Sequence, residues 1–201
     1  LAKKAGLKNV LVTAGYINTE PAKMLYSVTD AANIDLKFFD SRLYEKITSG
    51  SLAPVLKSIL LAKELGVWVE LTNLVIPTLN DDMKMIARMC KWIVNNVGSE
   101  VPLHFSKFYP MYKLQNLPPT PESVLTDARK TALDSGLQFV YIGNIYGKRN
   151  YSVIGGSKTI EGSIIFFLFT SVIFMAYYLL YAGNISAFGV ILLIIYAIGV
   201  T

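Results

Sequence analysis

The 201-residue chain has one cysteine and one histidine, and each scarcity excludes chemistry. A lone Cys90 forms no internal disulfide. By itself it supplies neither a structural cysteine-zinc site nor the three or four thiolates that usually hold an iron–sulfur cluster. The single His104 limits metal ligation and acid–base work as sharply. Charge is also missing where a soluble protein needs it. All 33 charged residues, 19 basic and 14 acidic, lie at or before Glu161, and the last 40 residues carry none. No soluble surface is made of 40 uncharged, mostly apolar residues, so a uniformly soluble globule is excluded and the chain reads as two pieces, roughly 1–143 and 144–201. No signal peptide is expected at this start, because Lys8 and Asn9 interrupt the apolar stretch that should follow Lys3 and Lys4. It starts with Leu1 and enters a strand almost at once, from which a missing start is expected.

What is present in the first piece is an alternation of strands and helices. Apolar runs predict strands over 9–14, 33–38, 67–76, 101–108 and 137–142. Between them, Pro21 suits the first turn of a helix with Leu25 and Val28 on its apolar side, and Asp40-Ser41 is a plausible cap. Helical periodicity runs over 53–65 and stops at Gly66, and a further helix spans about 83–97 after Asn80-Asp81. Thr120 is a possible N-cap for the helix carrying Val124, Leu125, Ala128 and Ala132. Strands alternating with helices of this length imply an α/β fold with a parallel sheet. Five strands fit an incomplete barrel or part of a doubly wound sheet.

Polar residues interrupt these apolar strands: Thr13, Asp35, Lys37, Thr72, Asn73 and His104. The carboxyl ends of parallel strands form ligand sites in such folds, and a polar side chain in an apolar strand needs a partner or a ligand. Asp35 and Lys37 are two apart and share a face, as a structural ion pair or as two arms of a polar site. His104 is either a hydrogen-bonded strand residue or a ligand. Cys90, in the periodic run Ile86, Met89, Cys90, Ile93, reads as a buried helix thiol. Asn80 and Asp81 read as a turn and helix cap, against a role in a pocket floor.

Four stretches carry a family resemblance: Thr13-Ala14-Gly15-Tyr16, Asp35-Leu36-Lys37, Leu74-Val75-Ile76-Pro77-Thr78-Leu79-Asn80-Asp81, and His104-Phe105-Ser106-Lys107-Phe108-Tyr109-Pro110. With Pro118-Pro119-Thr120-Pro121 and Tyr141-Ile142-Gly143-Asn144, residues 8–144 resemble the radical S-adenosylmethionine (radical SAM) enzymes. Within them they are most similar to the pyruvate formate-lyase activating enzyme-like proteins and the AmmeMemoRadiSam-system subgroup. The resemblance implies a partial (β/α)6 barrel open at one side. It implies that Thr13 and Gly15 border the cofactor, that Asp35 and Lys37 contact S-adenosyl-L-methionine, and that His104 reaches toward its methionine end. It assigns no catalytic residue and no metal ligand in this chain. The family's CxxxCxxC loop, which holds a 4Fe-4S cluster, and its Gly-Gly-Glu-Pro stretch are both absent and are expected upstream of Leu1. The cluster is therefore expected only in a full-length member, and this chain by itself is expected to be inactive. Ala14, Thr78 and Lys107 depart from the family's usual Asn, Gly and Arg.

The second piece resembles something else. Residues 163–182 form a run of 20 uncharged, mostly apolar residues, enough for a helix about 30 Å long, and 185–201 give a second run. Lys148, Arg149 and Lys158 precede the first span, which orients the N-terminal piece toward the cytoplasm. The loop 145–162, with Gly147-Lys148-Arg149 and Lys158-Thr159-Ile160-Glu161-Gly162-Ser163 at its end, is similar to that of the phosphatidate cytidylyltransferase and dolichol or phytol kinase group. The full expectation is an incomplete radical SAM-type barrel over 1–144, a basic Gly-rich juxtamembrane loop over 145–162, and two hydrophobic transmembrane helices over 163–201. Because neither family predicts this junction, a truncated or misjoined product is expected. The expected function is S-adenosylmethionine binding and, in the complete enzyme, iron–sulfur-dependent radical generation. The alternatives are a membrane CTP-dependent lipid transferase or kinase, and an inactive membrane-tethered binding protein. Expected partners are a protein or small-molecule substrate of radical chemistry and the lipid bilayer. Nucleic acid is not expected, since the +5 charge is spread through amphipathic helices without a dense basic stripe.

Overall fold

The structure is a computed structural model that describes residues 2–143. Its elements follow one another as β1 (Val10–Thr13), α1 (Thr19–Tyr26), β2 (Ala31–Asp35), α2 (Ser41–Thr48), α3 (Leu52–Glu64), β3 (Trp68–Val75), α4 (Met83–Asn96), β4 (Leu103–Lys107), α5 (Glu122–Asp134) and β5 (Val140–Gly143). The five strands are all parallel, and their order in the sheet is their order in the chain. Right-handed crossovers in such a sheet put the connecting helices on one face. Burial agrees with that. Ala32, Ile34, Val69, Leu71, Val75, Leu103 and Phe105 are buried in one core with Ile59 and Ala62 of α3, Met89, Cys90 and Ile93 of α4, and Leu125, Ala128 and Ala132 of α5. Alternate residues on the other face stay open: Val10, Val12, Trp68 and Tyr141 are all at least half exposed. Among the described residues the helices pack on one sheet face only.

Several boundaries differ from the sequence reading, each for a packing reason. β2 starts at Ala31 and ends at Asp35, so Lys37 lies beyond the strand. The ladder stops after Leu36, whose N–H donates to Thr72 O at 2.9 Å; the next two carbonyls accept from side chains instead, Leu36 O from Asn73 at 2.7 Å and Lys37 O from Asn80 at 2.9 Å and Asn73 at 3.2 Å. In α1 the core face is Ala22 and Tyr26, whereas Leu25 and Val28 are over a third exposed, because the Tyr26 hydroxyl bonds Ser58 of α3 at 2.7 Å. β5 begins only at Val140, since Leu137 N–H closes the end of α5 on Ala132 O.

Three caps also separate. Asp40 heads α2 as expected, accepting from Leu43 N–H at 2.8 Å. The cap of α4 is Asp82, one residue past the expected pair, and it accepts from Lys84 and Met85 N–H. Thr120 is not a cap: Pro121 holds that position, and Thr120 is buried, donating to Val75 O at 2.6 Å and accepting from Phe108 N–H at 2.8 Å. It stitches the ends of β3 and β4 to the approach of α5. Among the described residues no helix is long and apolar enough to cross a membrane; the spans expected over 163–201 and the loop 145–162 lie outside the described residues.

Thr78 sits in the turn after β3 at φ 67°, a left-handed conformation that a β-branched residue adopts at a cost of roughly 1–2 kcal/mol. Its side chain is exposed, and its N–H is held by Asp81 Oδ1 at 2.9 Å, a bond that any residue can make. Thr78→Gly is therefore expected to stabilise the domain by about 0.5–1 kcal/mol after the extra freedom of glycine in the unfolded chain is deducted. Urea denaturation followed by circular dichroism checks this, and a lowered midpoint would refute it.

Candidate functional site on the open sheet face

The register of the sheet lines up polar side chains in rows. Asp35 pairs with Thr72, Thr72 with His104, and His104 with Tyr141 across four adjacent strands; one step lower, Val12 pairs with Asn33 and Asn33 with Glu70. Side chains alternate along a strand, so all of these project to the face that, among the described residues, carries no helix. Hydrogen bonds then tie the rows together. Thr72 Oγ1 donates to Asn33 Oδ1 at 2.8 Å. Glu70 and His104 meet at 2.9 Å between Oε2 and Nε2, while Trp68 Nε1 donates to the other Glu70 oxygen at 3.2 Å. The Tyr141 ring lies over His104 with centroids 5.1 Å apart and planes 22° from parallel.

Asp35 and Lys37 form the charged end of this surface. Their side chains are 34% and 38% exposed and bonded at 2.7 Å, Lys37 Nζ donating to Asp35 Oδ2. The two readings left open by their spacing thus coincide: they are an ion pair, and the pair faces solvent at the end of β2. Solvent screening makes such a pair worth little to stability. The neighbouring Tyr44 on α2 is buried, and its phenol is pushed up to about 12, first by burial and then by the negative charge of Asp35. It therefore faces Asp35 as a neutral phenol.

The expected site residues divide into two sets. Asp35, Lys37 and His104 belong to the open face. Thr13 and Gly15 shape the turn after β1: Thr13 pairs with Ile34 on the helix-covered side and accepts from Gly15 N–H at 3.1 Å. Gly15 is buried at φ 67°. Asn80, weighed as turn or pocket floor, is a buried turn residue that accepts from Ile76 N–H and donates to the carbonyls of Leu74 and Lys37. Glu70, Asn33 and Trp68 also lie on this face, outside the expected set. The available signal was parity: Glu70 and Thr72 alternate with buried Val69 and Leu71, so a carboxylate and a hydroxyl share the side opposite the core.

The chain's own residues do not fit an iron–sulfur cluster. Cys90 is buried inside α4, where burial raises its thiol to about 12, and this disfavours the thiolate that binds iron. Among the described residues no three His, Cys, Asp or Glu side chains gather as a metal site. The open face does fit a zwitterionic ligand, because it presents an ammonium, two carboxylates, an imidazole and a hydroxyl within one polar surface.

No family model matches the chain. It is 45% identical over 147 residues to an uncharacterized protein of Methanocaldococcus jannaschii, a match that covers 73% of this chain and 43% of that protein. The chain thus spans less than half the length of that relative. Among solved structures it resembles a domain of a pyruvate-formate lyase-activating enzyme from Bacteroides vulgatus, with a TM-score of 0.62 and 17% identity over 71% of this chain and 84% of that one. It also resembles Streptococcus suis SuiB bound to S-adenosylmethionine, with a TM-score of 0.57 and 8% identity over 75% of this chain and 37% of that one. A radical SAM methyltransferase from Sphaerobacter thermophilus follows, with a TM-score of 0.55 and 9% identity over 69% and 41%. Residues 2–143 have the fold of a partial radical SAM barrel. At these identities the likeness carries the fold alone.

Proposed function

We propose that the open sheet face binds S-adenosylmethionine, and that the chain does so as part of a protein similar to the pyruvate formate-lyase activating enzymes. The observation that carries this reading is the Asp35–Lys37 pair, one third exposed at the end of β2 in a fold whose other face is closed by helices. The Lys37 ammonium suits the methionine carboxylate. Asp35 accepts hydrogen bonds from the α-ammonium or the ribose hydroxyls, and His104 borders the methionine end. When bound beside a reduced cluster, S-adenosylmethionine supplies a carbon radical for hydrogen abstraction. The cluster is not among the groups this chain's own residues fit, so binding without cleavage is the activity assigned to the chain.

Equilibrium dialysis of the chain with labelled S-adenosylmethionine tests the reading. Saturable binding is expected, weakened about tenfold by Lys37→Ala and by Asp35→Ala, the loss typical of one charge-assisted hydrogen bond. Production of 5′-deoxyadenosine under reducing conditions is not expected. An absence of saturable binding by the unaltered chain would sink the proposal, and so would full affinity in both variants.

A further inference from the structure

Glu70 has two oxygens on the open face, and both are occupied by neighbours. An ionised carboxylate only accepts hydrogen bonds, so His104 Nε2 must carry the proton in the 2.9 Å contact, and Trp68 Nε1 anchors the second oxygen at 3.2 Å. The imidazole is thus gripped at one nitrogen from β3 and covered on one side by Tyr141 from β5. This arrangement fixes both the tautomer and the plane of the ring and leaves Nδ1 as the nitrogen that meets a ligand. We infer that Glu70 is a positioning residue: it acts on the bound molecule only through His104, presenting Nδ1 to the methionine end of S-adenosylmethionine. The inference rests on the reading of this face as an S-adenosylmethionine site. It adds a residue of β3 whose carboxylate, taken alone, would instead be read as a second anchor for the ligand's positive groups.

The two roles differ in how losses combine. If Glu70 works through His104, Glu70→Ala weakens S-adenosylmethionine binding about tenfold in the unaltered chain and less than about twofold in the His104→Ala background. Glu70→Gln, which keeps an acceptor oxygen of the same reach, retains most of the affinity. Losses that multiply in the double variant would overturn the inference and make Glu70 a direct ligand contact. A second readout needs no ligand. His104 is the only histidine, so the nitrogen-15 spectrum of the imidazole is read without assignment. The neutral ring is expected to hold its proton on Nε2 in the unaltered chain and to lose that single-tautomer signature in Glu70→Ala; a proton on Nδ1 in the unaltered chain would refute the pairing. Should the unaltered chain bind no S-adenosylmethionine while the spectrum shows the Nε2 tautomer, the ligand reading fails and the Glu70–His104 pairing stands.

Discussion

Asn80→Ala is expected to destabilise the domain by about 3–5 kcal/mol, a large fraction of the stability of a domain this size. The residue is 2% exposed and all its polar atoms are bonded: Oδ1 accepts from Ile76 N–H at 2.6 Å, and Nδ2 donates to Leu74 O at 2.8 Å and Lys37 O at 2.9 Å. Truncation leaves the Ile76 N–H and the Leu74 carbonyl without this partner in the interior. Each such loss costs about 1–3 kcal/mol, and the space left by the side chain adds a packing term. The Lys37 carbonyl fares better because Asn73 Nδ2 also reaches it, at 3.2 Å. Its clamp is nonetheless halved, so the backbone of Lys37 is held less firmly beyond the end of β2. Asn80→Asp sharpens the test. It keeps the acceptor for Ile76 but turns an oxygen toward two carbonyls, so it should be no more stable than the alanine variant. Urea denaturation gives the result, and a loss below about 1 kcal/mol for Asn80→Ala would show that water replaces all three bonds.

Asn80 also shows what was legible beforehand and what was not. Its place in a turn follows from Pro77 and the polar run after a long apolar strand. That it ties β2 to β3 does not follow, since the two strand ends meet only once the parallel register is set. The same division runs through the molecule. β3 announces itself as ten apolar-rich residues ended by proline, and Asp35 and Lys37 share a face by their spacing. Glu70 stayed hidden because a charged residue in a strand looks like a solvated one until its neighbours are known; here they are Trp68, two residues away, and His104, thirty-four away. Beyond its Asp40 cap, α2 carries little sequence signal, because Tyr44 is its one buried residue and the rest of the helix is largely charged or polar. Thr120 misled in the opposite way. A threonine just before a helix suggests a cap, but proline at 121 takes that position and frees the hydroxyl for two buried backbone groups.

Gly15→Ala is the second large loss, at about 2–4 kcal/mol, and it separates two reasons for a glycine at the mouth of β1. At φ 67° an alanine adds the left-handed cost of roughly 1–2 kcal/mol. The new Cβ would also stand 2.7 Å from Ile34 Cγ2 and 3.4 Å from Val55 Cγ1. Ile34 is fully buried in β2, and its branched side chain has one good rotamer in a packed strand, so it does not yield cheaply. Overpacking of this kind costs about 1–3 kcal/mol, while the stiffer unfolded chain returns about 0.4–1 kcal/mol. Gly66 supplies the control, because it has a similar φ of 77° and nothing within 4 Å of an added Cβ. Gly66→Ala is expected to lose only about 1 kcal/mol by the same denaturation measurement. The difference between the two variants is the contact with Ile34. Equal losses would mean that Ile34 moves aside, and Gly15 would then be required only for its backbone angle.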